Sequence, residues 1–309
     1  MIAVLGECVA DAFVSDAAGE PREGLTLRVL PGGGPANTAV ALARLGTRTR
    51  FLGRVSDDVF GRLFRRRLEA AGVDQSAVVA APQRSTLGVL ALDEDGRATF
   101  SFHDEGAADW QWTRAELTPD RLGGAACLHT GSMALVREPG AAEVARFAAA
   151  CAPRATISID PNVRPGLATR QAYLDRLPAA ADILKLSDDD LGFLLPGTPP
   201  EAACDRWHGQ GVRLVVVTRG AAGALVSLDG ERSEVPGLRV EVADTVGAGD
   251  AFTAGLLHHL EAAGRLGGRL DRLDMETALA AAVFANRVAA LTCTVPGADP
   301  PAIEAVSGR

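Results

Sequence analysis

The segment Asp244-Thr245-Val246-Gly247-Ala248-Gly249-Asp250 sets an acid and a run of small residues at the entrance to a helix. Glycines flanking an alanine permit a tight turn, and the Ala- and Leu-rich run that follows to Ala263 predicts a helix ended by Gly264. A small-residue loop of this kind leaves backbone N–H groups unpaired, with the positive end of the helix dipole behind them. Such a place holds anions, phosphate foremost. The Asp250 carboxylate would repel a bound phosphate unless it faces an incoming hydroxyl. It would then take the hydroxyl proton while the N–H groups of Gly247, Ala248 and Gly249 hold the phosphoryl group in transit. Read alone, Asp250 is also an ordinary first-turn carboxylate.

Four further stretches carry polar groups suited to the same chemistry. In Pro31-Gly32-Gly33-Gly34-Pro35-Ala36-Asn37 the glycines let backbone approach a ligand, and Asn37 offers a donor and an acceptor to a hydroxyl-rich molecule; a flexible turn with a buried Asn is the plainer alternative. Asp11 follows Gly6-Glu7 and can accept two sugar hydroxyls, or serve a turn. In Asp160-Pro161-Asn162-Val163-Arg164-Pro165 the prolines fix an extended turn, and Arg164 could clamp a phosphate with two N–H groups or lie on the surface. Ser187-Asp188-Asp189-Asp190 reads locally as a capped helix start, Asp190 three residues beyond Ser187. Asp57 also reads as an N-cap, and Arg62, Arg65, Arg66 and Arg67 as a solvated helix face beside Glu69.

In their order along the chain these motifs resemble the ribokinase-like (PfkB-type) carbohydrate kinase family. The resemblance runs from Gly6 to Gly297 and includes Gly53-Arg54-Val55-Ser56-Asp57-Asp58-Val59-Phe60-Gly61 and Thr218-Arg219-Gly220-Ala221-Ala222-Gly223. It implies that Asp250 is the catalytic base, with Gly247, Ala248 and Gly249 as the anion hole and Arg164 near the transferring phosphate. Asp11, Gly33, Gly34 and Asn37 would bind the sugar, with Asp57 a further candidate for it, and Ser187, Thr218, Gly220, Gly223 and Asn286 the ATP. The family's Asn-x-x-Glu appears here as Ser187 and Asp190, the acid helping to hold Mg²⁺ through water. A potassium ion would sit at Asp244 with Val246, Thr292, Val295 and Gly297. Gly6-Glu7, Gly106-Ala107-Ala108-Asp109, Leu128-His129-Thr130-Gly131-Ser132 and the Asp160–Pro165 string are most similar to bacterial fructokinases, so fructose is the expected substrate. Ketodeoxygluconate, ribose and nucleosides are the alternatives within the family, and a non-catalytic sugar sensor the alternative outside catalysis.

The elements that must position these groups alternate. Short β-rich runs at 2–5, 49–55, 126–129, 156–159, 183–186 and 214–218 are separated by helical ones near 35–45, 58–71, 139–151, 169–180, 187–195 and 199–209. This alternation predicts one α/β domain over residues 1–309, with a mostly parallel sheet between two helical layers and ligands at the carboxyl ends of the strands. Runs at 11–15, 25–30, 87–92 and 99–103 break the rhythm and predict a small extra sheet, the second pair turning at Asp93-Glu94-Asp95-Gly96. In the resembling family that sheet is a lid over the sugar and often a dimer contact.

A net charge of −8 speaks against a nucleic-acid partner. No run is apolar enough for a membrane span, and the first residues read as a strand rather than a signal peptide. Lys185 is the only lysine, so the Gly-Lys-Ser/Thr phosphate loop of another kinase class is excluded. Five scattered cysteines and five histidines without ligand spacing predict buried thiols in a reducing cytoplasm and no zinc site.

Overall fold

The structure is a computed structural model and describes residues 1–14, 24, 26–92, 98–177 and 181–308. Its strands are β1 (Ile2–Leu5), β2 (Val9–Val14), β3 (Leu27–Gly32), β4 (Thr49–Leu52), β5 (Arg54–Ser56), β6 (Val79–Ala81), β7 (Thr86–Leu92), β8 (Ala98–His103), β9 (Cys127–Gly131), β10 (Thr156–Asp160), β11 (Ile183–Ser187), β12 (Leu214–Thr218), β13 (Ala224–Leu228) and β14 (Glu231–Val235). Its helices are α1 (Gly34–Arg44), α2 (Val59–Ala70), α3 (Gly140–Cys151), α4 (Arg170–Arg176), α5 (Asp188–Leu194), α6 (Pro200–His208), α7 (Ala248–Ala262), α8 (Met275–Thr292) and α9 (Ile303–Ser307).

Eight strands form the central sheet in the order β14-β13-β12-β11-β10-β9-β1-β4. From β4 to β12 neighbours run parallel, and β13 and β14 add an antiparallel edge. The parallel strands read as unbroken apolar runs such as Leu214-Val215-Val216-Val217 because helices cover both faces. Alternation assigns each side chain to a layer. Ile2, Val4, Leu214 and Val216 pack with α1, α7 and α8 on one face. Ala3, Leu5, Val215 and Val217 pack on the other with Phe147 of α3, Leu191 of α5 and Trp207 of α6. This is the expected three-layer α/β fold. The separate sheet is also present, in the order β3-β2-β7-β8, with β2 and β7 parallel at its centre. The expected turn at 93–96, Ser15, Leu25 and residues 178–180 lie outside the described residues.

Three local expectations are corrected. The run at 49–55 is two strands: β4 joins the central sheet, and after Gly53 the chain leaves it so that β5 pairs with β6. The hairpin β13–β14 was not among the expected strands, although its turn carries an Asp-Gly pair, Asp229 (φ 49°) and Gly230 (φ 97°), the usual signal for such a turn. The N-cap of α2 is Asp58, whose carboxylate accepts from Gly61 N at 2.8 Å, while Asp57 lies on the surface near Arg65.

Candidate active site

Two helix entrances meet at the carboxyl end of the central sheet. α1 begins after Gly33 (φ 98°) and α7 after Gly247 (φ 78°), and the two helices pack against each other. Asn37 Nδ2 donates to Asp250 Oδ2 at 2.8 Å, and the Thr38 hydroxyl donates to the Asp250 backbone carbonyl at 3.4 Å. The other carboxylate oxygen, Oδ1, is turned toward Gly34. A Cβ built on Gly34 would fall 3.2 Å from Asp250 Oδ1 and 2.7 Å from Asn162 Nδ2, so a larger residue there would crowd both. Gly34, Thr38, Asn162 and Asp250, with His129 and Asp160, line a small pocket open to solvent. Burial raises the Asp250 carboxyl to about 6 and the neighbouring Asp160 adds to the rise, while the Asn37 hydrogen bond, Lys185 and Arg164 oppose it.

A buried charge pair lies beneath this pocket. Lys185 Nζ donates to Asp160 Oδ2 at 2.8 Å, and the Thr253 hydroxyl donates to the same oxygen at 3.2 Å. Burial alone would pull the Lys185 ammonium down, but Asp160 outweighs it and holds the group above its ordinary value. A Cβ on Gly249 would fall 3.0 Å from Lys185 Nζ, so the ammonium sits directly against the first turn of α7. Next to it, burial and then the Lys185 charge push the His129 imidazole down to about 3, leaving it neutral, with Nδ1 3.1 Å from the Ser158 hydroxyl.

The α7 entrance is not a bare ring of amides. Ala248 N–H closes a turn onto the Thr245 carbonyl at 3.2 Å, a long bond with which an anion would compete. Gly249 and Asp250, in the first turn, have no intrahelical acceptor for their N–H groups. Asp244 braces this loop. Its carboxylate accepts from Val246 N at 3.0 Å and Gly297 N at 2.7 Å, which joins the segments carrying the candidate potassium ligands. Thr292 and Val295 are adjacent there, Val295 N lying 3.5 Å from the Thr292 carbonyl. The donor set is all oxygen, the kind a hard cation accepts. Among the described residues no cluster of three or more His, Cys, Asp or Glu could hold a metal.

The separate four-stranded sheet carries Asp11, on β2, within electrostatic reach of Asp250 and Arg164. The Asp11 carboxylate packs on Gly32, and burial raises it to about 6, Arg164 and Arg67 drawing it down and Asp250 pushing it up. Arg164 itself is exposed, its backbone N–H resting on the Tyr173 hydroxyl at 3.2 Å. Ser187 and Asp190 form a complete capping box. Asp190 accepts from Ser187 N (2.9 Å), the Ser187 hydroxyl (2.7 Å) and Val163 N (2.7 Å), so the carboxylate ties α5 to the loop carrying Arg164. Ser187 and Thr218 are register partners at the ends of β11 and β12. Gly220 (φ 50°) and Gly223 (φ 93°) follow, and Asn286 of α8 donates to the Pro236 carbonyl at 3.1 Å across the same end of the molecule.

Several residues at this site had no role in the sequence reading. Asn162 and His129 line the cavity, and Asp160, Lys185 and Thr253 form the charge network below it. The solitary lysine inside the apolar run Ile183-Leu184-Lys185-Leu186 was the available signal, since a buried ammonium needs a buried carboxylate. Asp109 anchors the separate sheet: it accepts from Cys8 N at 2.9 Å and the Thr86 hydroxyl at 2.8 Å. The four-arginine face is also corrected. Arg67 turns inward and donates to the Pro31 carbonyl, to Asn37 Oδ1 and to the Ala298 carbonyl.

Residues 1–305 match the family described as pfkB family carbohydrate kinase. A fructokinase of Klebsiella pneumoniae is 38% identical over 304 residues, covering 96% of this chain and 94% of its own. Among solved structures, the fructokinase of Xylella fastidiosa with bound ATP superimposes with a TM-score of 0.88 at 29% identity, over 99% of this chain and 97% of that one. The fructokinase of Vibrio cholerae O395 in its fructose, ADP and calcium ion bound form gives 0.80 at 28% identity, with the same coverage. A double-mutant form of it was solved with fructose, ADP and potassium ion.

Proposed function

The chain belongs to the pfkB family of carbohydrate kinases, and from that premise we propose how it phosphorylates fructose with ATP. Asp250 Oδ1 removes the proton from a primary hydroxyl of the sugar, the alcohol oxygen attacks the γ-phosphorus, and the bond to the β–γ bridging oxygen breaks to release ADP. The observation that carries this reading is the arrangement of the Asp250 carboxylate. One oxygen is fixed by Asn37, and the other opens on a cavity at a helix entrance.

The N–H groups of Gly247, Gly249 and Ala248, with the Lys185 ammonium behind them, stabilise charge gathering on the phosphoryl group, and Arg164 reaches the phosphates from the β10 loop. Asp11, Gly33, Gly34 and Asn37 hold the sugar under the lid, which excludes water and so suppresses ATP hydrolysis. Ser187, Thr218, Gly220, Gly223 and Asn286 border the nucleotide; exposed apolar side chains of Leu238, Val242 and Val283 lie on the segments beside them, suited to cover an adenine. Mg²⁺ would be held chiefly by the nucleotide phosphates and water, with Asp190 helping through water, and K⁺ would be held by Asp244 and carbonyls of Val246, Thr292, Val295 and Gly297. When bound, the two cations offset phosphate charge. The lid edge strand β3, with Leu27 exposed, pairs two subunits.

The test is ADP release with Mg-ATP and a panel of sugars, followed by locating the phosphate on the product. Fructose should give the highest kcat/KM. Sugar binding without turnover of any sugar would instead favour a sensor.

A further inference from the structure

Arg67 lies in a stretch that reads as solvated helix surface, yet its guanidinium turns inward and makes three hydrogen bonds within the molecule. Nη1 donates to the Pro31 carbonyl and to Asn37 Oδ1, both at 2.8 Å, and Nη2 donates to the Ala298 carbonyl at 2.7 Å. It therefore ties α2 to the root of the lid strand β3, to α1 and to the segment following Gly297. We propose that Arg67 is a positioning residue that acts through Asn37, fixing which end of its side-chain amide faces Asp250.

The chemistry of the three groups leaves one arrangement. A guanidinium can only donate hydrogen bonds, so the atom of Asn37 that faces it must be the carbonyl oxygen. The amide nitrogen is then the end that faces Asp250, and an ionised carboxylate can only accept. The observed chain Arg67 Nη1 to Asn37 Oδ1, then Asn37 Nδ2 to Asp250 Oδ2 at 2.8 Å, has this polarity throughout. Without Arg67 only Asp250 itself selects the end of the amide that faces it, and when Asp250 is protonated the amide can turn its oxygen to accept that proton, which favours the neutral acid. The two carbonyl acceptors, Pro31 and Ala298, hold the fork from opposite sides and keep it from leaving Asn37. One Nδ2 proton remains for a sugar hydroxyl, so the same constraint orients Asn37 for substrate.

This inference rests on the reading of Asp250 as the base. Asp250 is also faced by Asp160 of β10, Lys185 of β11, Arg164 of the β10 loop and Asp11 of β2. A test must separate relay through Asn37 from the direct field of the Arg67 charge.

The experiment is the pH profile of kcat, with fructose and Mg-ATP saturating, for Arg67→Met, Arg67→Lys, Asn37→Leu and the Arg67→Met/Asn37→Leu pair. Asn37 donation favours the ionised carboxylate, so its loss moves the acid limb to higher pH, by about one unit with kcat at pH 6 down roughly 5-fold. Arg67→Met should show this shift, and in the Asn37→Leu background the same change should add almost nothing. Arg67→Lys keeps the charge but lacks the fork, and should show most of the shift; it also serves if the Met variant does not fold. An unmoved acid limb overturns the proposal, as does an equal shift with and without Asn37, which would assign the effect to the field alone. Asp250→Asn run alongside separates the premises: near-normal kcat there removes the base itself, whereas collapse of kcat with an unmoved Arg67→Met profile removes only the relay.

Discussion

Replacing Lys185 by Met tests the buried pair beneath the active site. Lys185 and Asp160 have side-chain exposures of only 4% and 7%, and their 2.8 Å contact is the cation's partnership with a carboxylate that Thr253 also serves. Methionine fills a similar volume but strands the carboxylate, a change that typically costs about 3–5 kcal/mol. Spread over the unfolding entropy of a 309-residue chain, that is a fall in Tm of about 5–8 °C at pH 8. The sign of the pH dependence follows from the geometry. A stranded buried carboxylate holds its proton more tightly folded than unfolded, so the loss shrinks as pH falls and is largest above neutrality. Adding Asp160→Asn should recover most of the stability, because the uncompensated charge is then gone. It should not recover turnover: with no ammonium against Gly249, kcat should stay at least ~10-fold low. Scanning calorimetry at pH 5 and 8 with steady-state kinetics on the three proteins decides it. Equal Tm values for Lys185→Met and the parent chain at pH 8, or a double variant no more stable than the single, would refute the idea that Asp160 depends on this lysine.

Three other outcomes are expected. Asp250→Asn should lower kcat by ~10³-fold or more while the sugar KM stays within a few-fold, and the parent kcat should fall as pH drops through about 6, where the base becomes protonated. Glu7 is buried with Oε2 unpartnered, and burial raises its carboxyl to about 7, so the folded state binds a proton that the unfolded state releases between about pH 4.5 and 7. Glu7→Gln should therefore raise stability at pH 8 by on the order of 3 kcal/mol, read by urea midpoints, with the gain vanishing below pH 5. Gly34→Ala should raise the fructose KM or lower kcat by about 10-fold with little change in Tm, since its Cβ would press on Asn162 and Asp250 at the pocket rather than on the core.

The sequence by itself determined the layered fold and the two helix entrances. Unbroken apolar strands such as 214–217 have only one stable place, between two helical layers, and glycine-rich loops opening helices have few uses besides holding backbone against a ligand. The local capping of Ser187 and Asp190 was equally legible, because that bond spans three residues. What only the tertiary structure decided are the contacts across long sequence separations. Arg67 and Asn37 are 30 residues apart, Asn37 and Asp250 213, and Asp160 and Thr253 93. Helical periodicity placed Arg67 on a polar face, and the apolar strand pattern around Lys185 gave it no partner at all. A side chain's hydrogen-bond partner depends on which elements pack together, and no local pattern of charge or hydrophobicity encodes that. The pocket's electrostatics, an acid raised by burial and steered by an amide, an ammonium and two neighbouring acids, therefore exist only once α1, α2, α7 and the ends of β10 and β11 are brought to one point.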